Sequence, residues 1–356
     1  MGWYKQHIHK EDYHSISHIC VKTNSVKSRK IIPLVESLIM YIVKILDFLG
    51  MYMVDLKTKI CAGSGTPVIL KEKAASAWVD GKNLLGPVVG NFCMDLAIKK
   101  AKASGLGMVV AKGSNHFGIC GWYTMQASDR GLLGMAFTNT SPLVFPTRSR
   151  TATLGTNPLS LAAPGKNGDS FVLDMATTTA AVGKVEMADR KKVDIPLCWG
   201  ARADGQETTD PKEVLSGGGL LPLGGTEISS GYKGYGLAML VEIFCGILAD
   251  GDWGPHIRKW KNTTKVANLG QSFIAIDPEV FAPDFNERMQ ELIDTMRNLK
   301  PVDKSFPVLV AGDPERTHMK LCADLGGIPY HPNQITDLVE IAKSMKIDSP
   351  KVVKEL

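Results

Sequence analysis

The chain has 356 residues, 44% apolar and 22% charged, a balance that supports a folded core and excludes disorder on a large scale. Its formal net charge of +5 comes from Lys and Arg residues mixed with acids along most of the chain, so no concentrated basic face for nucleic acid is expected. Seven scattered cysteines, none in a C-x-x-C spacing, point to neither a disulfide framework nor a metal site and fit a reducing, cytoplasmic compartment.

Residues 1–30 are polar, with His7, His9, His14 and His18; they lack the composition of a transit peptide and the cleavage site of a secretory signal. Residues 31–54 form the most apolar run. Because Pro33, Glu36, Lys44 and Asp47 interrupt it, an amphipathic helix packed on a partner is expected rather than a membrane span. Short strands are predicted at 68–70 and 77–79, closed by the Asp80-Gly81 turn, then a helix over 92–104 that stops at Gly105. A strand at 108–111 runs into the cluster Gly113-Ser-Asn-His116-Phe-Gly118. A helix over 121–130 and strands at 133–138, 159–163 and 171–173 follow. Tyr232-Lys-Gly-Tyr-Gly236 is followed by an apolar helical pattern over 237–248 whose sole charge is Glu242, which predicts burial on most sides. Further on come a strand at 271–276, a helix over 283–299, a strand at 308–310, and, from Asn333, a helix with a charged, frayed tail.

Four times between Lys112 and Gly183 an apolar run adjoins small polar residues with Gly or Pro: the His116 cluster, Thr138-Asn-Thr-Ser-Pro142, Leu154-Gly-Thr-Asn-Pro158, and Asp174-Met-Ala-Thr-Thr178. Strands deliver side chains and backbone N–H groups to the rim of a pocket in this way. His116 reads equally as a proton-transfer residue or as a strand-end histidine satisfied by backbone. Asp174 reads as an acceptor for ribose hydroxyls or as a helix N-cap, and Lys233 as a phosphate or carboxylate partner or as a solvated side chain. Cys120 reads as packing material. No G-x-G-x-x-G stands at a strand-to-helix turn with an acid about twenty residues on, so a Rossmann site is excluded; P-loop, G-x-S-x-G and H-E-x-x-H motifs are absent as well.

Taken together and in order, Ser114-Asn-His116, Gly155-Thr-Asn-Pro158, Leu173-Asp-Met-Ala176, Leu221-Pro-Leu-Gly-Gly225 and Tyr232-Lys-Gly-Tyr-Gly-Leu237 resemble the malate/L-lactate dehydrogenase family of the second type, which also holds ureidoglycolate, sulfolactate and diketogulonate reductases. The likeness runs from about Tyr52 to about Gln334. It implies an α/β, family-specific, non-Rossmann NAD(P)-binding fold with a mixed sheet and surrounding helices. The organisation expected is an atypical helical segment over 1–50, a dehydrogenase core over 51–335 with its cofactor region within 112–315, and a C-terminal helix and tail over 336–356. It also implies a homodimer, with NAD or NADP as cofactor and a small 2-hydroxy acid or 2-keto acid as substrate.

Carried onto this chain, the resemblance makes His116 the catalytic residue. Thr140, Asp174, Met175, Ala176 and Lys233 become cofactor contacts, Gly312, Asp313, Pro314 and Glu315 a loop over the nucleotide, and Arg148 the nearest cation for the substrate carboxylate. One departure stands out. The family's N-terminal Ser-His-Gly motif and the Arg after it would fall at Lys44 and about Phe48, so the alternative expectation is a catalytically impaired relative that binds nucleotide or serves as a dimerisation partner.

Overall fold

In chain order the elements of the computed structural model are β1 (Gln6–Ile8), α1 (Ile45–Lys57), β2 (Val68–Glu72), β3 (Ser76–Asp80), α2 (Gly86–Ser104), β4 (Leu106–Ser114), α3 (Cys120–Ser128), β5 (Leu133–Thr138), β6 (Leu159–Pro164), β7 (Ser170–Met175) and α4 (Val182–Lys191). There follow β8 (Gly200–Ala201), β9 (Glu207–Thr208), α5 (Pro211–Leu215), β10 (Gly219–Leu220), α6 (Gly231–Glu242) with a π-helical continuation (Ile243–Ile247), β11 (Leu269–Ile276), α7 (Phe285–Arg297), α8 (Asp313–Leu325), β12 (Ile328–Tyr330), α9 (Pro332–Met345) and β13 (Val352–Glu355). The structure describes residues 6–8, 45–260, 262–325, 327–330, 332–345, 349 and 352–355. They divide into two units, residues 66–292, and residues 1–65 with 293–356.

The 66–292 unit is built on a seven-stranded sheet in the order β2-β3-β4-β11-β5-β6-β7. β3 and β4, joined through α2, are parallel. Every other neighbouring pair in the sheet is antiparallel. The result is the mixed sheet with helices that the sequence led us to expect, and not a doubly wound parallel one.

Alternation along the central strand β11 builds the core on both faces. Phe273, fully buried, meets Tyr123 edge-on at 5.3 Å and Phe117 at 6.1 Å on the face covered by α2 and α3. The next residues point the other way: Ile274 packs with Phe137, Val241 and Cys245, and the Ser272 hydroxyl donates to the Phe244 carbonyl at 2.6 Å under α6 and its π-helical continuation. A second core joins Val144, Leu154, Val185, Ile195, Val214, Leu220 and Ala238 around the small sheet β10-β8-β9.

The helix expected over 92–104 begins earlier, at Gly86, because Pro87 in its first turn suits a helix start and the apolar periodicity weakens there. The helix after Tyr232 is apolar as read, but Met239, Leu240, Ile243, Ile247 and Leu248 are exposed, so burial on most sides is not what is observed. In the other unit, β12-β1-β13 form an antiparallel sheet, so residues 352–355 of the expected frayed tail are a paired strand. Residues 308–310 are irregular instead of a strand, since nothing pairs with them among the described residues. His9, His14, His18, Lys44 and residues 31–44 of the apolar run lie outside the described residues.

The aromatic contacts of Phe273 set an expected cost. Phe273→Ala should lower the unfolding free energy by about 3–5 kcal/mol in chemical denaturation, and a loss under about 1 kcal/mol would show that this ring does not hold the two layers together.

Candidate active site

Antiparallel pairing places four of the polar clusters along one edge of the sheet. Ser114 at the end of β4 pairs with Leu269, Gln271 with Thr138 at the end of β5, Phe137 with Leu159 at the start of β6, and Leu159 with Met175 at the end of β7. Ends and starts therefore coincide, which is how clusters sixty residues apart in sequence come to share one rim.

His116 stands just beyond β4. Its loop is fixed by Asn115, whose amide donates to Asn83 Oδ1 and to the Leu84 carbonyl, both at 3.0 Å, while Gln271 Nε2 donates to the Asn115 carbonyl at 2.9 Å. The start of α2 can approach this loop because residue 86 is glycine; a Cβ there would stand 2.2 Å from the Asn115 oxygen and 2.3 Å from that of His116. The Gly118 N–H donates to His116 Nδ1 at 3.4 Å, which in the neutral ring assigns the proton to Nε2.

Trp260 packs against the half-buried imidazole with ring centres 5.9 Å apart, and the buried Arg258 lies close enough to act on it by charge. Arg258 Nη1 donates to the carbonyls of Asn262 (3.1 Å) and Lys265 (3.4 Å), which fixes the guanidinium. Burial first, and the Arg258 charge second, hold the His116 pKa down to about 4. Neither Arg258 nor Trp260 was singled out from sequence: they sit in an irregular segment with no periodicity to mark them.

Thr140 and Asp174 lie further along the rim. The Thr140 N–H donates to Asn157 Oδ1 at 3.1 Å, and its hydroxyl meets that of Thr156 at 3.2 Å. Asp174 Oδ2, still within β7, accepts from the Gly121 N–H at 2.8 Å in the first turn of α3, so its carboxylate holds the start of a helix that precedes it in the chain rather than capping one that follows it. Met175 and Ala176 are half-buried beside it. The Thr177 N–H donates to the Thr156 carbonyl and the Leu223 N–H to the Thr177 carbonyl, both at 2.9 Å. Leu223 in turn lies under Gly234, where a Cβ would come within 2.3 Å of its backbone. This close approach brings the N-terminus of α6 to the rim, with Lys233 exposed in its first turn; its N–H donates to the Ser230 carbonyl at 3.0 Å, and its side chain makes no hydrogen bond or ion pair among the described residues.

Beneath the rim lies Glu242, the acid noted as the single charge of an apolar helix. Its two oxygens accept from Asn157 Nδ2 and Asn139 Nδ2, each at 3.0 Å, and burial raises its pKa.

Two other expectations are placed elsewhere. Arg148 is exposed and holds Glu227 in a two-bond ion pair at 2.6 and 2.7 Å, beside a cavity of about 580 Å³ whose lining includes none of His116, Thr140, Asp174 or Lys233. The cation next to His116 is Arg258 instead. Gly312, Asp313, Pro314 and Glu315 belong to the other unit, at the start of α8. There Asp313 accepts from Arg297 and Arg316 at 2.7 Å each and from the Val310 N–H at 2.9 Å, which keeps its carboxyl well below the usual carboxylate range. Among the described residues no three metal-binding side chains converge, and no helix is long and apolar enough to cross a membrane.

Comparison with known proteins gives the chain its family. A malate dehydrogenase of Pyrococcus horikoshii is 40% identical over 284 residues, covering 79% of this chain and 78% of its own. An L-sulfolactate dehydrogenase of Methanocaldococcus jannaschii is 40% identical over 282 residues, with coverages of 79% and 78%. Among solved structures, a malate dehydrogenase from Entamoeba histolytica superposes with a TM-score of 0.90 at 27% identity, covering 98% of this chain and all of its own. Residues 46–339 match the malate/L-lactate dehydrogenase family, and this chain belongs to it.

Proposed function

We propose that the protein interconverts a small 2-hydroxy acid, of the malate, lactate or sulfolactate type, and its 2-keto acid, using NAD or NADP. The observation that carries this reading is a desolvated histidine with its proton on Nε2, backed by the buried Arg258, on the same sheet edge as the paired hydroxyls of Thr140 and Thr156. The relatives named above, malate and L-sulfolactate dehydrogenases, support it.

The residues present suit a dinucleotide. An exposed Lys233 at the N-terminus of α6 offers a point charge to phosphate where the helix dipole also favours an anion, and the Thr140 and Thr156 hydroxyls offer polar contacts. We assign Thr140, Asp174, Met175, Ala176, Lys233 and the segment Gly312, Asp313, Pro314, Glu315 to cofactor binding, with Asp313 holding its own loop through the two arginines. The nicotinamide supplies or receives the hydride. His116 Nε2 donates to the substrate oxygen and handles its proton, while the charge of Arg258 gives the substrate carboxylate a favourable potential.

The exposed apolar stripe of Met239, Ile243 and Ile247, spaced four apart, supports a homodimer in which a second copy covers this face. The described cysteines are all free thiols, which supports the cytoplasm as the compartment.

Titration with NADH and NADPH, followed by turnover of oxaloacetate, pyruvate and sulfopyruvate, tests the main reading; binding without turnover would favour the impaired alternative raised by Lys44 and Phe48. His116→Ala should reduce kcat by about 10²–10⁴-fold with the fold retained. A variant of undiminished activity would remove His116 from the chemistry.

The depressed pKa has its own signature. Between about pH 6.5 and 4 the unfolded chain takes up a proton on this ring that the native state refuses, so stability is full above 6.5 and is lost as pH falls through that window. Denaturation of His116→Gln over this range should lack that share of the pH dependence, and identical profiles would refute the desolvated site. For the dimer, sedimentation of Ile243→Glu/Ile247→Glu should show monomers where the parent protein is dimeric; a monomeric parent would overturn the assembly.

A further inference from the structure

The carboxylate of Glu242 is 3% exposed and lies at the point where α6 widens into its π-helical continuation, a distortion that recurs at functional sites. A buried acid of this kind is costly unless its oxygens are matched by donors. Here they are matched in a definite order. Oε1 accepts from Asn157 Nδ2 and Oε2 from Asn139 Nδ2, so both amide groups are turned with nitrogen toward the acid. An amide has two ends, and the opposite ends are then oxygens: Asn157 Oδ1 accepts from the Thr140 N–H, and Asn139 Oδ1 from the Gly270 N–H at 3.0 Å. The remaining amide hydrogens go to the carbonyls of Ala238 and Asp252.

Resting on the functional reading above, we infer that Glu242 is a positioning residue for the dinucleotide, acting through Asn157 to hold Thr140 at the rim. The polarity of the chain Glu242–Asn157–Thr140 runs one way. Acceptors at Oε1 and at the Ala238 carbonyl together keep Asn157 facing its oxygen to Thr140, and Oε1 is the one a side-chain substitution can reverse. Thr140 is therefore placed by a charge buried more than a hundred residues further along the chain, and its hydroxyl is thereby set against Thr156.

Replacing one carboxylate oxygen by an NH₂ group puts donor against donor. In Glu242→Gln one of the two asparagines must turn over or lose its bond. Asn157 also holds Ala238, and Asn139 also holds Asp252, so neither turns without further loss. When Asn157 turns, Thr140 loses its acceptor and its order. Cofactor affinity should suffer before the chemical step does, because Thr140 binds and does not react.

The test combines two substitutions with two readouts. Dissociation constants for NADH and NADPH, by fluorescence, and kcat are measured for the parent, Glu242→Gln, Asn157→Ala and the double variant, with thermal melting to show that each is folded. Amide hydrogen exchange at Thr140 is followed without cofactor. The expected result is a rise of about tenfold or more in the dissociation constant in each single variant, with kcat within about threefold, and a double variant no worse than the singles, as for residues acting in one chain. Thr140 protection should fall in Glu242→Gln. Unchanged affinity in Glu242→Gln, additive effects, or an unchanged Thr140 amide would each overturn the assignment. Should one variant not fold, the other decides it. A parent protein that binds neither dinucleotide overturns the functional reading instead, and Thr140 exchange then decides whether the relay itself exists.

Discussion

Three side chains meeting in the interior set the geometry of the rim: Glu242 on the last turn of α6, Asn139 beyond β5 and Asn157 just before β6. A carboxylate removed from water needs compensating donors, and the raised pKa of Glu242 shows how much of that burial remains opposed to its charged form. Each asparagine then spends its other end on backbone, at Gly270 and Thr140. One buried charge thus fixes two loops from underneath, while their upper surfaces remain at the rim. Stability and site geometry draw on the same hydrogen bonds.

The sheet makes this economical. In a doubly wound parallel sheet every strand ends at the same edge and a glycine-rich turn there meets the phosphates. In this antiparallel run the end of β5, the start of β6 and the end of β7 fall at one edge, so the 139–158 connection and the segment after β7 meet there without a crossover helix between them. The long connection is the one into β11, which enters between β4 and β5 and carries Arg258 and Trp260 on its approach. The His116 loop and the Thr140 loop are held apart by one strand, with Gln271 fastened to the Asn115 carbonyl on the way.

Much of this was legible in the sequence, and the illegible part has a common cause. Strands such as β5 and β11 and the helix α3 showed through local periodicity, and the polar clusters showed through their Gly and Pro punctuation. The motifs in order gave the family and the mixed sheet. What stayed hidden depends on partners far along the chain. Glu242 was visible as a lone charge, but its asparagines lie 85 and 103 residues away. Arg148 was visible as a cation, but its partner Glu227 lies 79 residues on. Residues 352–355 became a strand because residues 6–8 pair with them, and 308–310 did not because no strand does so among the described residues.

The electrostatics around His116 bear on when it can carry a proton. An imidazole beside a buried guanidinium refuses a second proton at neutral pH, and alone it is a poor acid for protonating an alkoxide. A keto acid brings its own carboxylate. In the function proposed above, that carboxylate, placed in the field of Arg258, would offset the second of the two causes that oppose the imidazolium, while burial, the larger, remains. A second proton would have to sit on Nδ1, which accepts from the Gly118 N–H, so the geometry too favours the neutral ring with its proton on Nε2. Desolvation, which lowers the pKa in the empty site, also strengthens the coupling between the three charges, since each acts through less water. The desolvation that keeps His116 neutral is therefore also what would make its proton sensitive to an anionic substrate under the proposed function.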